Sequence, residues 1–281
     1  MRIRIVTDST CDLPAKIAQK YGISVVPCYV NIGEKSFLDG VELNRQEFYT
    51  RLATSEVPPR TSAPSVGLFA KVYENLAAEG VTNIISIHIH HRFSNIANAA
   101  RLAAEFVKSL KVRVLEMGTI TLGFLAINAA RAVFEERSVD EILEILRDQD
   151  SRTYIYAALD TLEFVKRGGR IHWLIAGIAD WLNFKPLISL HEGKIKLERI
   201  RAGSKPNEQI IQKIKQMSPF EELGILHANA KEKAKIILQN IKELLPQVEN
   251  PWVEELAPVL GTHAGPGAAV LVVVRAKKLD G

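Results

Sequence analysis

Polar residues follow the first apolar run of the chain, and several kinds of chemistry are open to them. The stretch IVTDSTCDLP, residues 5–14, carries two acids, two hydroxyls and a cysteine after an apolar pair. Asp8 could act as the nucleophile of an aspartate-dependent phosphohydrolase, but such enzymes place the second acid two residues further on, and here it is Asp12. Cys11 has no evident catalytic partner and is interpreted as a small buried thiol. The stretch therefore predicts a turn and a helix cap, with Asp12 as the capping residue of the following helix, rather than a catalytic centre.

Three histidines in the stretch IHIHHRF, residues 87–93, raise the question of a metal site. His88 and His90 are two residues apart on a predicted strand, so we expect them to share one face, whereas His91 points elsewhere. The chain has no CxxC or HExxH pattern, and the aspartate of an HxHxDH run is missing. We therefore expect no metal here, and interpret the histidines as residues at the rim of a polar loop.

Hydroxyl side chains precede two amphipathic segments and could bind an anion. TSAPS, residues 61–65, begins the first segment, and Ser94 begins the second. Both could simply cap their helices, but free N–H groups at a helix start, together with hydroxyls, also form an anion site. Because the strand-to-helix turns of a parallel sheet gather at the carboxyl ends of the strands, both turns are expected to line one cleft.

Two glycine-containing stretches in the second half add cationic and imidazole groups. KRGGRI, residues 166–171, places three cations around a Gly-Gly turn. It is either a solvated loop or a clamp for a carboxylate or phosphate, in which the glycines let the backbone approach the ligand. GTHAGPGAA, residues 261–269, is neither a Walker A loop nor a GxGxxG fingerprint, so no nucleotide site is predicted.

The composition indicates an ordinary globular chain and argues against several partner classes. Of 281 residues, 47% are hydrophobic and 24% charged, with a net charge of +4. The sequence has no stretch of dense Lys and Arg with interleaved aromatic residues, so nucleic-acid binding is not predicted. The longest apolar runs, such as AAVLVVV, are too short to span a bilayer, so no stable membrane insertion is expected. Two cysteines, no CxxC and no signal peptide favour a reducing cytoplasm.

The elements that must position these residues differ between the two halves of the chain. In residues 1–150, strand patterns alternate with amphipathic helical patterns, which predicts a parallel sheet covered by helices on both faces. Residues 24–33 and KVRVLEM, residues 111–117, are among the predicted strands. Residues 27–60 are interpreted as a partly irregular arm with one helical piece. Residues 151–281 carry alternating runs around a hairpin signal, HEGK, which predicts a second domain with a mixed sheet. We place the domain boundary near Ser151.

The ordered set of these motifs resembles the DegV family. IVTDSTCDLP, TSAPS, LDTLEFVKRGGRI with FKPL and GKI, and GTHAGPGA occur in the order and at the spacing of that family across nearly the whole chain. The resemblance implies an α/β fold of two domains. The N-terminal domain would be α/β/α with a parallel sheet, the C-terminal domain would have a mixed sheet, and a ligand tunnel would lie between them.

The same resemblance implies a function. Members of the family bind a long-chain fatty acid non-covalently, and the positions that match its carboxylate ligands are Thr61 and Ser94. Ser62, Arg170 and His263 match positions near the head group. Several members are carrier subunits of a bacterial fatty acid kinase and present the acid to a separate ATP-binding protein. We therefore expect a lipid carrier that has no cofactor and no catalytic activity of its own.

The sequence departs from the family pattern at two places. Residues 90–100, HHRFSNIANAA, replace the usual SSxLSGTYxSA; they keep Ser94 but lose the Ser-Ser pair and the Gly-Thr. Glu116 and Met117 stand where an Asp-Ser pair is common. These changes leave room for a different head-group geometry or a different partner kinase. The alternative function is that of a small α/β hydrolase or phosphotransferase, which would use Asp8 or the cluster His88–His91.

Overall fold

The first half of the chain is built on a parallel sheet, as the alternating pattern predicted. The computed structural model describes residues 2–55, 57–119, 121–170, 185–198, 206–247 and 251–277. We number strands β1–β13 and helices α1–α10 in chain order. The parallel sheet has the strand order β2-β1-β6-β7. Its strands are Ile3–Asp8 (β1), Ser24–Val26 (β2), Asn83–Ile89 (β6) and Lys111–Met117 (β7).

Five helices accompany this sheet, and each buries an apolar face. In α4 the buried side chains recur at three- and four-residue spacing, from Ile96 through Ala100 to Ala103, which is the spacing of one helix face. A capping box between Ser138 and Glu141 starts α6. The helices are Ala15–Lys20 (α1), Val66–Ala78 (α3), Ile96–Phe106 (α4), Gly123–Phe134 (α5) and Val139–Arg152 (α6).

The arm over residues 27–60 is more regular than predicted. It contains a three-stranded antiparallel sheet of order β4-β3-β5 and one helix. The single strand expected over residues 24–33 is wrong: β2 and β3 belong to different sheets, because Pro27 between them has no N–H to continue a ladder. The elements are Tyr29–Ile32 (β3), Lys35–Leu38 (β4), Arg45–Thr54 (α2) and Arg60–Ser62 (β5).

The second half is built on the predicted mixed sheet. Its order is β10-β9-β8-β13-β11-β12, and within it β11 and β12 are parallel while the other pairs are antiparallel. The predicted hairpin joins β9 and β10, with positive φ at Glu192 and Gly193. The strands are Thr153–Ala158 (β8), Leu187–His191 (β9), Lys194–Glu198 (β10), Phe220–His227 (β11), Trp252–Glu255 (β12) and Ala269–Arg275 (β13). The helices are Glu163–Arg167 (α7), Pro206–Met217 (α8), Lys231–Asn240 (α9) and Pro258–Ala264 (α10).

Three predicted helix starts are wrong. The helix expected from Thr61 begins at Val66 after a Ser65 cap, while Thr61 lies in β5 opposite Val30. Asp12 was expected to cap α1, but Pro14 stands at that position, since its fixed φ suits a helix entry. Helix α4 begins at Ile96, so Ser94 lies in the preceding loop and makes no cap.

One apolar core joins residues from both halves. Ile5 and Ile87 of the parallel sheet belong to the same buried cluster as Leu159 and Val270 of the second half. The boundary near Ser151 therefore stays a prediction. Within the described ranges, no helix combines the length and the apolar content that crossing a bilayer would require.

Candidate functional site

A cavity lies where the parallel sheet, the arm and the mixed sheet meet. It encloses about 1050 Å³, part of which is open to solvent. The five residues that the family resemblance placed at or near a head group all line this cavity, namely Thr61, Ser62, Ser94, Arg170 and His263. Most of the remaining wall is aliphatic, including Ile89, Ile96, Leu159, Ile188, Ile195 and Val270. The cavity is therefore apolar with a small polar group of side chains.

Two of these polar residues come from distant parts of the chain and touch each other. The Oγ1 of Thr61, in β5, is 2.9 Å from the Nε2 of His263, in α10. The Nδ1 of His263 is buried and has no hydrogen-bond partner among the described residues. Burial, with the Arg170 guanidinium as a second cause, lowers the pKa of His263 to about 4, so its ring is neutral at pH 7.

The tautomer of His263 decides what Thr61 can offer to a ligand. A buried N–H without an acceptor is rarer in proteins than an acceptor without a donor. We therefore assign the proton to Nε2, which donates to Thr61 Oγ1, and leave Nδ1 as the unpaired acceptor. The hydroxyl hydrogen of Thr61 is then free to be donated into the cavity. Such a donor suits a carboxylate.

Arg170 brings a half-buried positive charge to the same cavity. It follows Gly168 and Gly169, and its NH1 donates to the carbonyl oxygen of Gly168 at 2.6 Å. Among the described residues, no carboxylate lies within 4.0 Å of the guanidinium. Burial lowers the pKa of Arg170. A half-buried cation without an acidic partner among the described residues favours an anionic ligand, because a buried charge is costly unless it is paired.

The glycines of two sequence motifs let α7 and α10 pack closely. At Gly168 an added methyl group would overlap the ring of His263, and at Gly265 it would overlap the ring of Phe164. Gly265 also has a φ of +73°, which disfavours other residues. The KRGGR and GTHAGPG motifs, nearly a hundred residues apart, therefore form one interlocked unit that fixes the His263 ring.

The start of α10 is held by two buried carboxylates. Asp12 Oδ1 accepts from the Ala257 N–H at 2.6 Å, and Asp39 Oδ2 accepts from the Val259 N–H at 3.3 Å. Burial raises the pKa of each carboxyl to about 7; Arg45 opposes this most strongly at Asp12, and a hydrogen bond from Ser9 does so at Asp39. Asp12 thus positions the His263 helix instead of capping α1. Asp39 was not predicted, and nothing in its local sequence pointed to this role.

The loop that carries Ser94 is tied to β7 at the two places where the sequence departs from the family pattern. Glu116 Oε2 accepts from the His91 backbone N–H at 2.8 Å and lies 2.7 Å from His91 Nδ1. Arg101 also bonds to Glu116. Partial burial opposes ionisation, but hydrogen bonds from Arg101 and His91 lower the pKa of Glu116 to about 2. The two departures are therefore in direct contact, which the sequence could not reveal.

His88 lies away from the rim, contrary to the prediction. Its Nδ1 is 2.7 Å from Asp8 Oδ2 and its Nε2 is 2.7 Å from Ser86 Oγ, which in turn is 2.9 Å from Tyr73 Oη. All four side chains are fully buried. The expected shared face of His88 and His90 is also wrong, because His90 lies past the end of β6 and its ring packs against that of His91 at 4.0 Å.

Asp8 contacts two residues of the cavity wall, Thr10 and Cys28, and sequence reasoning missed both contacts. Asp8 Oδ1 accepts from the Thr10 backbone N–H at 3.0 Å and from its hydroxyl at 2.6 Å, and Thr10 lines the cavity. The opening stretch IVTDSTCDLP therefore forms a short turn with Asp8 as its cap. In this arrangement neither Asp8 nor His88 is exposed to a substrate, so the geometry does not favour the hydrolase alternative.

Comparison with known proteins places the whole chain in one family. The DegV family, described as "Uncharacterised protein, DegV family", matches residues 2–276. The DegV domain-containing protein SCO2569 of Streptomyces coelicolor is 32% identical over 277 residues, covering 96% of this chain and 98% of that protein. The protein lmo2514 of Listeria monocytogenes is 31% identical, covering 95% and 96%.

Solved structures agree in fold. DegV, a fatty acid binding protein from Bacillus subtilis, superimposes with a TM-score of 0.89 at 27% identity, covering 98% of this chain and 100% of that one. A DegV family protein from Thermus thermophilus, described by its fatty acid binding, gives a TM-score of 0.87 at 29% identity, with coverage of 98% and 100%. Together with the motifs and the two sheets described above, these matches establish that the chain belongs to the DegV family.

Proposed function

We propose that the cavity binds a long-chain fatty acid non-covalently. Thr61 and Ser94 hydrogen-bond to the carboxylate, with Ser62, Arg170 and His263 near the head group. The observation that carries this proposal is the half-buried Arg170, which lies at an otherwise apolar cavity and has no acidic partner among the described residues. A ligand with one anionic end and a long apolar tail complements both features.

The lining of the cavity implies that the tail and the head group of the ligand contribute differently to binding. A C16 tail buries about 14 methylenes at roughly 0.8 kcal/mol each, a gross gain of about 11 kcal/mol. Association and ordering costs remove much of that gain. Each hydrogen bond to the charged carboxylate adds about 1.5–3 kcal/mol. The tail therefore supplies most of the affinity, and the head group sets the orientation.

Two relatives support the ligand class. The Bacillus subtilis and Thermus thermophilus proteins are both described as binding fatty acids, and both share the fold over nearly the whole chain. As part of the same proposal, this protein is a cytoplasmic carrier that presents the acid to a separate ATP-dependent kinase. Its carboxylate site needs no cofactor. The hydroxyl and imidazole of Thr61 and His263, which meet in the described wall of the cavity, do not form a nucleophile and base, because Nε2 carries the proton in the tautomer assigned above.

The proposal is tested by titrating the delipidated protein with a fluorescent fatty acid and with its methyl ester. Wild type should bind the acid more tightly than the ester, since the ester keeps the tail and removes the charge. Thr61→Ala and Ser94→Ala should each weaken acid binding roughly 10- to 150-fold, the equivalent of one charged hydrogen bond. Arg170→Gln should also weaken acid binding while leaving ester binding unchanged.

Thr50→Ala is the matched control, because Thr50 is exposed on α2 and its hydroxyl bonds back to Gln46. Equal binding of acid and ester by wild type, with no effect of Thr61→Ala or Ser94→Ala, would place the head group elsewhere. Mass spectrometry of the purified protein provides a second check. A co-purifying C14–C18 acid supports the carrier, whereas an empty protein that hydrolyses acyl or phosphate esters supports the hydrolase.

A further inference from the structure

His90, His91 and Glu116 form a compact group beside the loop that carries Ser94. One ligand atom from each residue lies within 4.8 Å of the other two. His90 and His91 follow β6, while Glu116 comes from the adjacent parallel strand β7. The turn of the chain after β6 brings the centroids of the two imidazole rings to 4.0 Å, with the ring planes tilted by 34°. The group is therefore assembled by sheet pairing and a turn rather than by a sequence motif.

The contacts around the group leave ligand positions available. Arg101 bonds to Oε1 of Glu116, and Oε2 faces Nδ1 of His91. The Arg92 backbone N–H donates to Nδ1 of His90 at 3.2 Å, so its Nε2 is the nitrogen left available. In metal sites, the carboxylates and imidazoles that bind the ion are typically hydrogen-bonded to further protein groups, which fix their orientation.

The spacing of the group admits an ion after a small movement. The His91 Nδ1 and Glu116 Oε2 atoms are 2.7 Å apart. Two ligand atoms on a tetrahedral zinc ion, each bonded at about 2.0–2.1 Å, are separated by roughly 3.3 Å. A shift of about half an ångström, within reach of the exposed His91 side chain, would open that separation.

We propose that His90, His91 and Glu116 bind Zn²⁺ or another late first-row divalent cation at the edge of the cavity. Two imidazoles and one carboxylate suit such ions better than Mg²⁺ or Ca²⁺, which prefer oxygen ligands. The sequence-based expectation of no metal rested on the absence of a CxxC, HExxH or HxHxDH pattern, and a group assembled from two neighbouring strands needs no such pattern. The structure buries His88 and supplies Glu116 in its place.

An ion at this position would fasten the Ser94 loop to the sheet. The Phe93 and Ser94 backbone N–H groups both donate to the carbonyl oxygen of His90, at 2.9 and 3.4 Å. Phe93 and Ser94 line the cavity. Coordination of His90 and Glu116 by one ion would therefore link β7, through a single turn, to two residues of the cavity wall.

The test is a titration of chelator-treated protein with Zn²⁺ alone, in competition with a chromophoric chelator, and with Co²⁺ as a spectroscopic probe. Wild type should bind about one equivalent of Zn²⁺ saturably, and Co²⁺ should give the visible absorption of a four-coordinate site. His90→Gln, His91→Gln and Glu116→Gln should each weaken binding by about tenfold or more. His91 is largely exposed, so its variant should fold normally.

His191→Gln is the control, since this histidine stacks on Tyr154 and lies outside the group. Its variant should bind Zn²⁺ as wild type does. The proposal is overturned if wild type shows no saturable binding. It is also overturned if the ligand variants bind as tightly as wild type, or if His191→Gln weakens binding as much as they do. Because the titration contains no lipid, its result is independent of the proposed fatty acid site.

Discussion

His88 in β6 and His263 in α10 both contact a hydroxyl through Nε2, but the other nitrogen of each ring is treated differently. In β6, Nδ1 of His88 pairs with Asp8, so the whole ring is satisfied inside the core. In α10, Nδ1 of His263 is buried and has no hydrogen-bond partner among the described residues. The neighbouring Arg170 has no acidic partner among them either. In the first region the polar groups hydrogen-bond to one another, whereas in the second some hydrogen-bonding capacity has no partner within the described part of the protein.

This difference separates a structural network from a binding site more reliably than residue type does. A buried chain of Asp, His, Ser and Tyr resembles catalytic machinery in sequence, yet every member has a protein partner and no exposure. Around the cavity, by contrast, His263 Nδ1 has no hydrogen-bond partner and Arg170 has no acidic partner among the described residues. Unpaired polar groups are costly in a core, so their presence at a cavity indicates that a ligand completes them.

The largest expected difference between the two regions is in stability. His88→Ala leaves Asp8 buried without its ring partner and opens a cavity in the core, and truncating a large buried side chain to alanine costs about 3–5 kcal/mol. His263→Ala should cost clearly less, because its ring lines an open cavity. Urea unfolding of both variants measures the difference in the free energy of unfolding. Equal losses would show that the two histidines play the same structural role.

A methyl group at Gly168 tests whether the cavity depends on close packing of α7 and α10. Gly168→Ala would push against His263, and overpacking of this kind costs typically about 1–3 kcal/mol. Fatty acid affinity should fall as well, since the His263 ring must move. Gly67→Ala is the control, because no such overlap exists in α3. Unchanged stability and affinity in Gly168→Ala would show that the interlock has no influence on the site.

The pH dependence of stability should have opposite signs at the two ends of α10. Asp12 and Asp39 have pKa values raised from 3.8 to about 7 by burial. Their contribution to stability is therefore full below pH 4 and is lost as the pH rises through 7. His263 has a pKa lowered from 6.5 to about 4. Its contribution is present above pH 6.5 and is lost as the pH falls through 4.

Asn and Gln substitutions isolate these contributions. Asp39→Asn keeps an acceptor oxygen for Val259 and should gain stability relative to wild type as the pH rises from 4 to 7. The slope should be at most about 1.4 kcal/mol per pH unit. His263→Gln should gain relative to wild type as the pH falls from 6.5 to 4. Unfolding curves measured at several pH values give the free energy of unfolding as a function of pH. If this function had the same slope in the variants and in wild type, the assigned signs of the pH dependence would be wrong.

The smallest expected effect compares two serines near helix starts. Ser65 Oγ accepts from the Leu68 N–H at 3.2 Å, so Ser65→Ala should lose about 1 kcal/mol of stability and keep its fatty acid affinity. Ser94 caps nothing, so Ser94→Ala should change stability by at most about 0.5 kcal/mol while weakening acid binding. Thermal unfolding and lipid titration of both variants measure the two quantities. A reversed pattern would make Ser94 the structural residue.

The sequence predicted the architecture because apolar periodicity is a local property. KVRVLEM was expected to be a strand and is β7 over the same residues, and HEGK forms the predicted hairpin turn. Both DegV family membership and the parallel and mixed sheets are confirmed. Helix starts were less predictable, since Thr61 and Ser65 offer the same hydroxyl within five residues and only tertiary pairing places Thr61 in a strand.

Contacts between distant residues account for what the sequence did not reveal. Nothing local shows that Gly168 must make room for His263, that Asp12 caps a helix near residue 258, or that Glu116 bonds to His91. Each of these contacts depends on the sheets being assembled. The family motifs identified which residues surround the cavity, while their hydrogen-bonding states came only from the three-dimensional arrangement.

The central position of β13 has a consequence for how the molecule is made. This strand is synthesised after β8 and β11, yet it lies between them and pairs with both. Until it emerges from the ribosome, the nascent chain must keep two apolar strand edges apart, and such edges readily pair wrongly. Insertion of β13 completes the sheet and also brings in the segment with His263 just before it. The sheet and the cavity wall are therefore completed by the same segment of the chain, which carries both His263 and β13.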